Sequence, residues 1–350
     1  MVKGARKDIW SATRIDVANY CRMRYYLIYV EGEHRLNLSA YEKGSLLHHV
    51  IENFWADDNG NKIPRYSSPE EFAKKTQGKW MQRIIVSEKT GRQIHWRFDE
   101  EKWFVKSQLK DICIPLYPYL LNEGPPLYTE LPFLFSFSQG GRRKLFRGRI
   151  DELRIRDGKA ILRDYKSGNP WIGQQKVDHD PQMTTYNAGL CAICQTNPQF
   201  AKSLNLENSL VSSSNNPNFI LESLNSEFFM TDSFLHKDKK EPPPTLQKTF
   251  RKEEHFYELI RMIDGTLESI TNNTIYPERG RKCDSCDVNE ACAKRLSCAK
   301  NSLNCDKNGQ LYFEFAAPLY IRPLAPIKKM KAQSNQRLFS FMKKKKSNPS

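Results

Sequence analysis

The sequence predicts an α/β protein, because the spacing of its apolar residues changes along the chain. Residues 11–55 and 250–272 carry apolar side chains three and four positions apart, a spacing typical of amphipathic helices. Residues 127–166 instead alternate between apolar and polar side chains, as strands do, and residues 180–194 return to the helical spacing. A helix, three strands and another helix in this order are typical of an α/β core.

The segment before the strands is predicted to be helical. A first helix begins at Ser11 and ends before Gly32, and a second covers about residues 41–55. Residues 56–125 continue the helical pattern, most clearly at 100–121, and are predicted to be an insertion.

The strands are predicted from the alternation and from the turn signals between them. One strand ends before Gly140-Gly141, and the next ends at Asp157-Gly158, a dipeptide that favours a two-residue hairpin turn. The returning strand is AILRDYK. Residues 203–249 are predicted to be a second insertion, with loop-like sequences on either side of a short strand at 219–229.

The net charge of +15 indicates a polyanionic partner, of which nucleic acid is the commonest. Nine of the positive charges lie in residues 321–350, which contain no acid. No apolar run approaches the ~20 residues needed to cross a membrane, and the first ten residues lack the apolar segment of a secretory signal. The protein is therefore expected to act inside the cell, in the cytoplasm at the nucleoid or in the nucleus.

The hairpin at Asp157-Gly158 is predicted to bring two carboxylates together. With a two-residue loop, Asp151 lies opposite Asp164. Facing carboxylates destabilise a sheet unless a positive charge lies between them, and a divalent cation with oxygen ligands suits that place. Lys166 shares a face with Asp164 and is suited to orient water or to neutralise charge on a phosphate. The alternative is an exposed pair of acids with Lys166 as counter-charge, and a turn longer by one residue would change the pairing.

Four segments resemble the motifs of RecB-like PD-(D/E)XK nucleases, in the same order along the chain. They are Gly44–Glu52, Gly148–Asp151, Asp164–Gly168 and Gln182–Tyr186. The resemblance covers about residues 11–295. It implies a restriction-endonuclease-like PD-(D/E)XK core with a mixed central sheet, helical insertions and metal-dependent cleavage of DNA.

The same resemblance implies roles for single residues. The metal ligands for Mn2+ or Mg2+ would be His48, Asp151 and Asp164. The catalytic residues would be Asp151, Asp164, Lys166, Gln182 and Tyr186. A lone helical histidine more often has no such role, and a polar helix face is the alternative interpretation of Gln182 and Tyr186.

Nine cysteines without a secretory signal favour metal ligation over disulfides. Cys283, Cys286 and Cys292 form a C-x2-C-x5-C pattern, one ligand short of a full set. The segment around Cys21 resembles that of the iron–sulfur exonucleases of CRISPR loci and of the flap-processing replication helicase-nuclease. The resemblance implies a [4Fe-4S] cluster held by these four cysteines, which would close a very long loop. Zinc, with Cys298 in place of Cys21, is the alternative.

Residues 317–350 are predicted to be a flexible basic tail that binds a partner. The segment SNQRLFSFMKKKK resembles the sliding-clamp (PCNA) interaction box, with Asn335 in place of the usual glutamine. Leu338, Phe341 and Met342 match its three apolar anchors, and a helical turn would bring them to one side. The alternative is a basic tail whose apolar residues are accidental.

Taken together, these patterns predict one nuclease domain over residues 1–316, followed by the tail. The predicted activity is that of a metal-dependent exonuclease on single-stranded or flapped DNA in replication or repair. No G-x-x-x-x-G-K-[ST] segment occurs, so no ATP-driven motor is expected in this chain. The alternatives are spacer processing in CRISPR adaptation and a non-catalytic DNA-binding module that retains the fold.

Overall fold

The structure is a computed structural model that describes residues 9–58, 61–139, 141–210, 218–278, 280–283 and 286–301. Up to the first long strand, the elements in chain order are β1 (Ile9–Trp10), α1 (Ala12–Tyr20), α2 (Arg22–Tyr26), β2 (Asn37–Leu38), α3 (Ser39–Glu52), β3 (Trp55–Asp58), β4 (Asn61–Pro64), α4 (Pro69–Lys89), β5 (Ile94–His95) and α5 (Glu101–Glu123). The later elements are β6 (Tyr128–Gln139), β7 (Arg142–Arg156), β8 (Lys159–Lys166), α6 (Gln174–Asp178), α7 (Pro181–Thr196), α8 (Pro198–Ser203), β9 (Asn225–Met230), β10 (Leu246–Thr249), α9 (Glu253–Thr271) and α10 (Asn289–Asn301). Of the helices described, none is long and apolar enough to cross a membrane.

Among the described residues, the central sheet has six strands and is mixed, as predicted. Along one edge β7 is antiparallel to β6, and along the other it pairs with β8 antiparallel and with β1 in parallel. β8 also pairs in parallel with β9, and β10 follows antiparallel to β9. β8 is therefore an interior strand, which agrees with its almost continuous run of buried residues.

The β7–β8 hairpin has the predicted register. Asp157-Gly158 forms its two-residue turn, with φ angles of 53° and 72°, the left-handed values that a type I′ turn requires. The last ladder pair at the other end of the hairpin joins Glu152 to Arg163. The next position along the two strands therefore holds Asp151 and Asp164.

Two hydrophobic cores cover opposite faces of the sheet. On one face α7 packs in a core that includes Leu162 and Phe228. On the other face α3, α4 and α5 share a core with Tyr165 and Phe229. Because successive strand residues alternate between the two cores, α7 and α3 reach the end of β8 from opposite faces.

A buried ionic cluster lies on the α5 side of the sheet. Arg163 is fully buried and contacts the carboxylates of Glu123, Glu152 and Glu227, with its Nη2 atom 2.8 Å from Glu123 Oε2. The hydroxyl of Tyr165 donates a hydrogen bond to Glu152. Removal of one partner from such a buried ion pair leaves an unpaired charge and costs about 3–5 kcal/mol. The cluster therefore ties α5 to the three strands β7, β8 and β9.

The single helix predicted from residue 11 to Gly32 is wrong, because the chain breaks at Cys21. The backbone there is extended, with φ −167° and ψ 121°, and α2 begins at the next residue. A π-helical turn then leads to Gly32, whose left-handed φ of 79° ends the helical segment as predicted. Apolar spacing continues on both sides of the break, so the period does not reveal it. Packing of α2 against Ile275 and Val288 accompanies the change of direction.

The short strands were not predicted. β3, β4 and β5 lie in the segment expected to be helical, and Trp55 begins β3 instead of ending a helix. β1 was missed, as was β10, which lies in the segment expected to hold loops and one strand. Strands of two to four residues contain too few side chains to show a period.

Candidate active site

The end of β8 places two carboxylates side by side inside the protein. Asp164 is fully buried, and Asp151 of β7 is 4% exposed. The backbone N–H of Tyr165 donates a hydrogen bond to Asp151 Oδ2 at 3.0 Å, which joins the strands just beyond their last ladder pair. An exposed pair of acids, the alternative drawn from the sequence, does not describe these residues.

Lys166 and two residues of α7 surround the carboxylates. Lys166 Nζ lies 2.9 Å from Asp164 Oδ2 and donates a hydrogen bond to Gln182 Oε1 at 2.8 Å. Gln182 Nε2 donates to Asp164 Oδ1 at 2.7 Å and to the Tyr186 hydroxyl at 2.8 Å. The Tyr186 hydroxyl in turn donates to Asp151 Oδ1 at 3.1 Å. The structure thus brings together all five residues predicted to be catalytic.

Helix α3 reaches the site through a close contact at Gly44. A Cβ atom on Gly44 would lie 2.5 Å from the side-chain oxygen of Ser167, directly after β8. One helical turn later, His48 Nδ1 lies 3.4 Å from Asp151 Oδ2, and the His48 ring meets the Tyr165 ring edge to face. The absence of a side chain at Gly44 therefore favours the close approach that brings His48 to the carboxylates.

Helix α7 approaches the sheet through a second glycine contact. The ring of Phe133 on β6 lies between Gly148 of β7 and Gly189 of α7, and a Cβ atom on either glycine would come within 2.5 Å of it. This packing sets the height of α7 above the strands. Gln182 and Tyr186 therefore reach Asp151 and Asp164 from the adjoining turns of α7.

Glu52 and Glu130 also lie beside the predicted residues. Burial raises the pKa of Glu52 to about 8, and a hydrogen bond to Glu130 and the charge of Asp151 add to the shift. Glu130 lies on β6 across from Asp151, between two ladder pairs, and has a left-handed φ of 52°. Glu52 carries a sequence signal, because it follows His48 by one helical turn and ends the motif segment. Glu130 carries none, since the alternation of β6 does not indicate its backbone conformation.

The site holds more carboxylate than ammonium charge. Burial raises the pKa of Asp164 to about 7 and that of Asp151 to about 6, and neighbouring acids add to both shifts. Burial disfavours the charged form of Lys166, but Asp164 and Asp180 outweigh it and raise the pKa of Lys166. Burial also lowers the pKa of His48, which favours the neutral imidazole that binds metals.

The chemistry of these donors fits a divalent cation. Carboxylate oxygens and a neutral imidazole suit Mg2+ or Mn2+, and buried carboxylates with raised pKa values are stabilised by added positive charge. In the part of the chain that is described, no three His, Cys, Asp or Glu side chains form a ready-made metal-binding group. Lys166, Gln182 and Tyr186 engage the oxygens of Asp151 and Asp164 instead, so a cation would have to replace some of these contacts.

A family model of the PD-(D/E)XK nuclease superfamily matches residues 9–293. This chain belongs to the PD-(D/E)XK nuclease superfamily. Membership implies a metal-dependent nuclease in general, and the match spans the whole candidate site. Curated protein sequences contain no match to the chain. The crystal structure of SSO0001 is 15% identical over 60% of this chain and 80% of its own, with a TM-score of 0.29, too low a similarity to support an inference.

The cysteine segment of this PD-(D/E)XK protein lies against its first helices. Cys21, Cys286 and Cys292 pack at the edge of one apolar cluster formed by α2 and the residues around Val288. Burial raises the pKa of Cys286, and the nearby Cys21 adds to the shift. The Cys283 thiol lies 3.9 Å from the Glu278 carbonyl oxygen. The four cysteines therefore lie in one region but do not form a ready cluster site among the described residues.

Polar contacts hold the same two segments together. The Tyr20 hydroxyl donates a hydrogen bond to the Lys282 carbonyl at 2.6 Å, and Lys282 Nζ donates to the Tyr20 carbonyl. Arg24 donates two hydrogen bonds to the buried carboxylate of Asp287, at 2.6 and 2.9 Å. The side chain of Cys298 is outside the described set, as are the tail residues Asn335, Leu338, Phe341 and Met342.

Proposed function

We propose that this protein is a divalent-metal-dependent deoxyribonuclease whose reaction takes place at Asp151, Asp164 and Lys166. The contact of Lys166 with both Asp164 and Gln182 carries the proposal, because it fixes an ammonium group beside buried carboxylates. Unlike the buried ion pairs of Arg163, this arrangement includes carboxylates with raised pKa values, which favours catalysis over a non-catalytic binding module.

His48, Asp151 and Asp164 are the proposed ligands of Mn2+ or Mg2+. Such a cation, when bound, supplies Lewis-acid stabilisation of charge on the phosphate and lowers the pKa of water. Lys166 would place its positive charge beside the phosphate oxygens that gain charge as the bond is cut. Gln182 and Tyr186 hold the carboxylates and Lys166 in fixed relative positions, and the sheet excludes water behind them.

The proposed substrate is single-stranded or flapped DNA that is cut from an end, in replication or repair. The resemblance of four ordered motifs to RecB-like nucleases supports this choice. Spacer processing in CRISPR adaptation remains the second candidate, because the cysteine segments also resemble the exonucleases of those loci. The two activities can be distinguished by comparing the cleavage of DNA substrates that differ in the structure of their ends.

The test is cleavage of end-labelled single-stranded, flapped and duplex DNA with Mn2+ or Mg2+. Shortening from one end of the single-stranded or flapped DNA is expected, and none in EDTA. Asp164→Asn and Lys166→Ala should each lower the rate by ~100-fold or more, since a lost metal carboxylate costs several kcal/mol. Lys159→Ala, at an exposed position of the same strand, is the matched control. Undiminished cleavage by Asp164→Asn would contradict the assignment.

A [4Fe-4S] cluster held by Cys21, Cys283, Cys286 and Cys292 is part of the proposal. The break of the helix at Cys21 and the shared apolar cluster with Cys286 and Cys292 support it. The cluster would fasten the first helices to the segment that follows α9, beside the contacts that Tyr20 and Arg24 already make there.

Binding of a sliding clamp (PCNA) by the tail is the last part of the proposal. It is supported by the sequence match at Leu338, Phe341 and Met342, with Asn335 at the position of the usual glutamine. Calorimetry of a peptide of residues 331–350 against the clamp tests it, with Leu338→Ala and Phe341→Ala together as control. Equal heats from the native and altered peptides would contradict it.

A further inference from the structure

A groove lined by basic residues lies behind α3 as seen from the candidate active site. Its volume is about 710 Å³, and α3, α4 and the segment that leads to β5 form its walls. The described lining residues include one acid, Glu42, beside the basic residues His49, Lys79, Arg83 and Arg92.

The positive groups of this groove are crowded. Burial lowers the pKa of Lys79, and neighbouring guanidinium groups, Arg83 among them, lower it further. Burial likewise lowers the pKa of His49, with Lys79 and Arg83 adding to the shift. Lys79 and Arg92 form no ion pair with a carboxylate in the described ranges. An anion in the groove would relieve this repulsion.

One carboxylate already balances part of the charge. Arg83 Nη1 lies 2.9 Å from Glu42 Oε2. This contact is partly exposed and links α4 to α3, so solvent screens it. Glu42 therefore weakens the attraction of the groove for anions without filling it.

The exposed side of α3 connects the groove to the active site. His48 faces the carboxylates, and His49 follows it by about 100° around the helix and faces the groove. Ser45 is exposed on the same side of α3, and Arg83 Nη1 lies 3.2 Å from its hydroxyl. A helix with its side chains is about 10–12 Å across, so a strand of nucleic acid could reach both places over this surface.

We propose that this groove binds backbone phosphates of the DNA strand that is cut, a few nucleotides from the reacting bond. The inference rests on the proposed nuclease function. A DNA strand held at the carboxylates must leave over one edge of the site. The edge formed by α3 leads to Lys79 and Arg92, which form no ion pair with a carboxylate in the described ranges. Because the contacts are to phosphate, the groove sets the position of the strand without regard to its sequence.

The experiment measures binding of a fluorescein-labelled single-stranded oligonucleotide to the full chain by anisotropy, in EDTA so that no cleavage occurs. The Lys79→Ala, Arg92→Ala double variant is expected to raise Kd about tenfold and to reduce the dependence of log Kd on log salt by ~0.7 for each phosphate that is no longer neutralised. Glu42→Gln should act in the opposite direction and tighten binding. Lys74→Ala, an exposed lysine on the opposite side of α4, is the matched control and should leave Kd unchanged.

The possible outcomes distinguish the groove proposal from the nuclease proposal. If the double variant binds DNA as tightly as Lys74→Ala does while the unaltered chain cleaves DNA with Mn2+, the groove proposal is overturned and the nuclease proposal stands. If the double variant binds less tightly but the unaltered chain cleaves no DNA, the groove is supported and the nuclease proposal fails. Absence of DNA binding by the unaltered chain would overturn both.

Discussion

Gln182 and Asp164 are joined by a hydrogen bond of 2.7 Å from the side-chain amide of Gln182 to Asp164 Oδ1. The other end of the same amide accepts a hydrogen bond from Lys166 Nζ at 2.8 Å. One side chain of α7 therefore contacts both Asp164 and Lys166. We therefore expect Gln182 to act as a positioning residue, whose loss should affect the rate of the proposed reaction more than the binding of DNA.

Replacement of Gln182 tests this role. Gln182→Ala should lower kcat by about 10- to 100-fold with little change in KM, because Lys166 and Asp164 lose a shared partner. Gln182→Glu should in addition move the acidic limb of the pH–rate profile to higher pH, since a new carboxylate opposes ionisation of Asp164. Gln195→Ala, at an exposed position of the same helix, is the control. A pH profile unmoved by Gln182→Glu would show that Gln182 serves packing alone.

The contact of α3 with the end of β8 is tested at Gly44. Gly44→Ala should lower activity at least tenfold, because its Cβ would lie 2.5 Å from the Ser167 oxygen and would push His48 away from Asp151. Adding Ser167→Ala should restore most of the activity, since the remaining Ser167 Cβ lies at 3.7 Å. Gly78→Ala, a helical glycine of α4 with open space around it, should leave activity unchanged and stabilise the protein by up to ~1 kcal/mol. Failure of the second substitution to rescue would argue against the steric explanation.

Stability of the metal-free protein should fall as the pH rises from about 4 to 8. Raised pKa values of about 6 for Asp151, 7 for Asp164 and 8 for Glu52 mean that the folded state keeps protons that the unfolded state releases in this range. The Tm of the unaltered protein minus that of Asp164→Asn should therefore decrease between pH 5 and pH 8. Mn2+ should raise Tm more at pH 8 than at pH 5. A difference in Tm that is constant with pH would contradict the shifts.

The cysteine cluster is tested by composition and colour. Protein purified without oxygen should be brown and contain about four iron and four sulfide per chain. Cys21→Ser should remove the colour and lower Tm, because the link between α2 and the segment at 283–292 is lost, whereas Cys298→Ser should do neither. Stoichiometric zinc without iron, lost on Cys298→Ser, would favour the alternative site.

The hairpin that holds Asp151 and Asp164 could be predicted because its signals are local. Asp157-Gly158 specifies the turn, the turn specifies the register, and the register places Asp151 beside Asp164. The break at Cys21 could not be predicted, because it depends on packing against residues that are more than 250 positions away in the chain. Tertiary contacts of this kind leave no period in the sequence.

Other features of the structure could not be predicted from the sequence for a similar reason. Glu130 joins the acids through a left-handed backbone conformation within β6, at a residue type that seldom adopts it. The basic groove collects side chains from positions 37 to 92, which have no common motif. His49 directly follows His48 in the sequence, and only the placement of α4 gives it surroundings of its own.

The two faces of β8 carry buried side chains of opposite charge, and this favours a single register of the strand. Arg163 points to three acids on the α5 side, while Asp164 points to Lys166 and Gln182 on the α7 side. A shift of the strand by one residue would exchange the two, so that Asp164 would face the three glutamates on the α5 side and Arg163 would face the α7 side. Both buried layers would be wrongly charged at once. Misregistered chains should therefore be strongly disfavoured during folding, so the charged residues of the candidate active site also favour the correct pairing of the sheet.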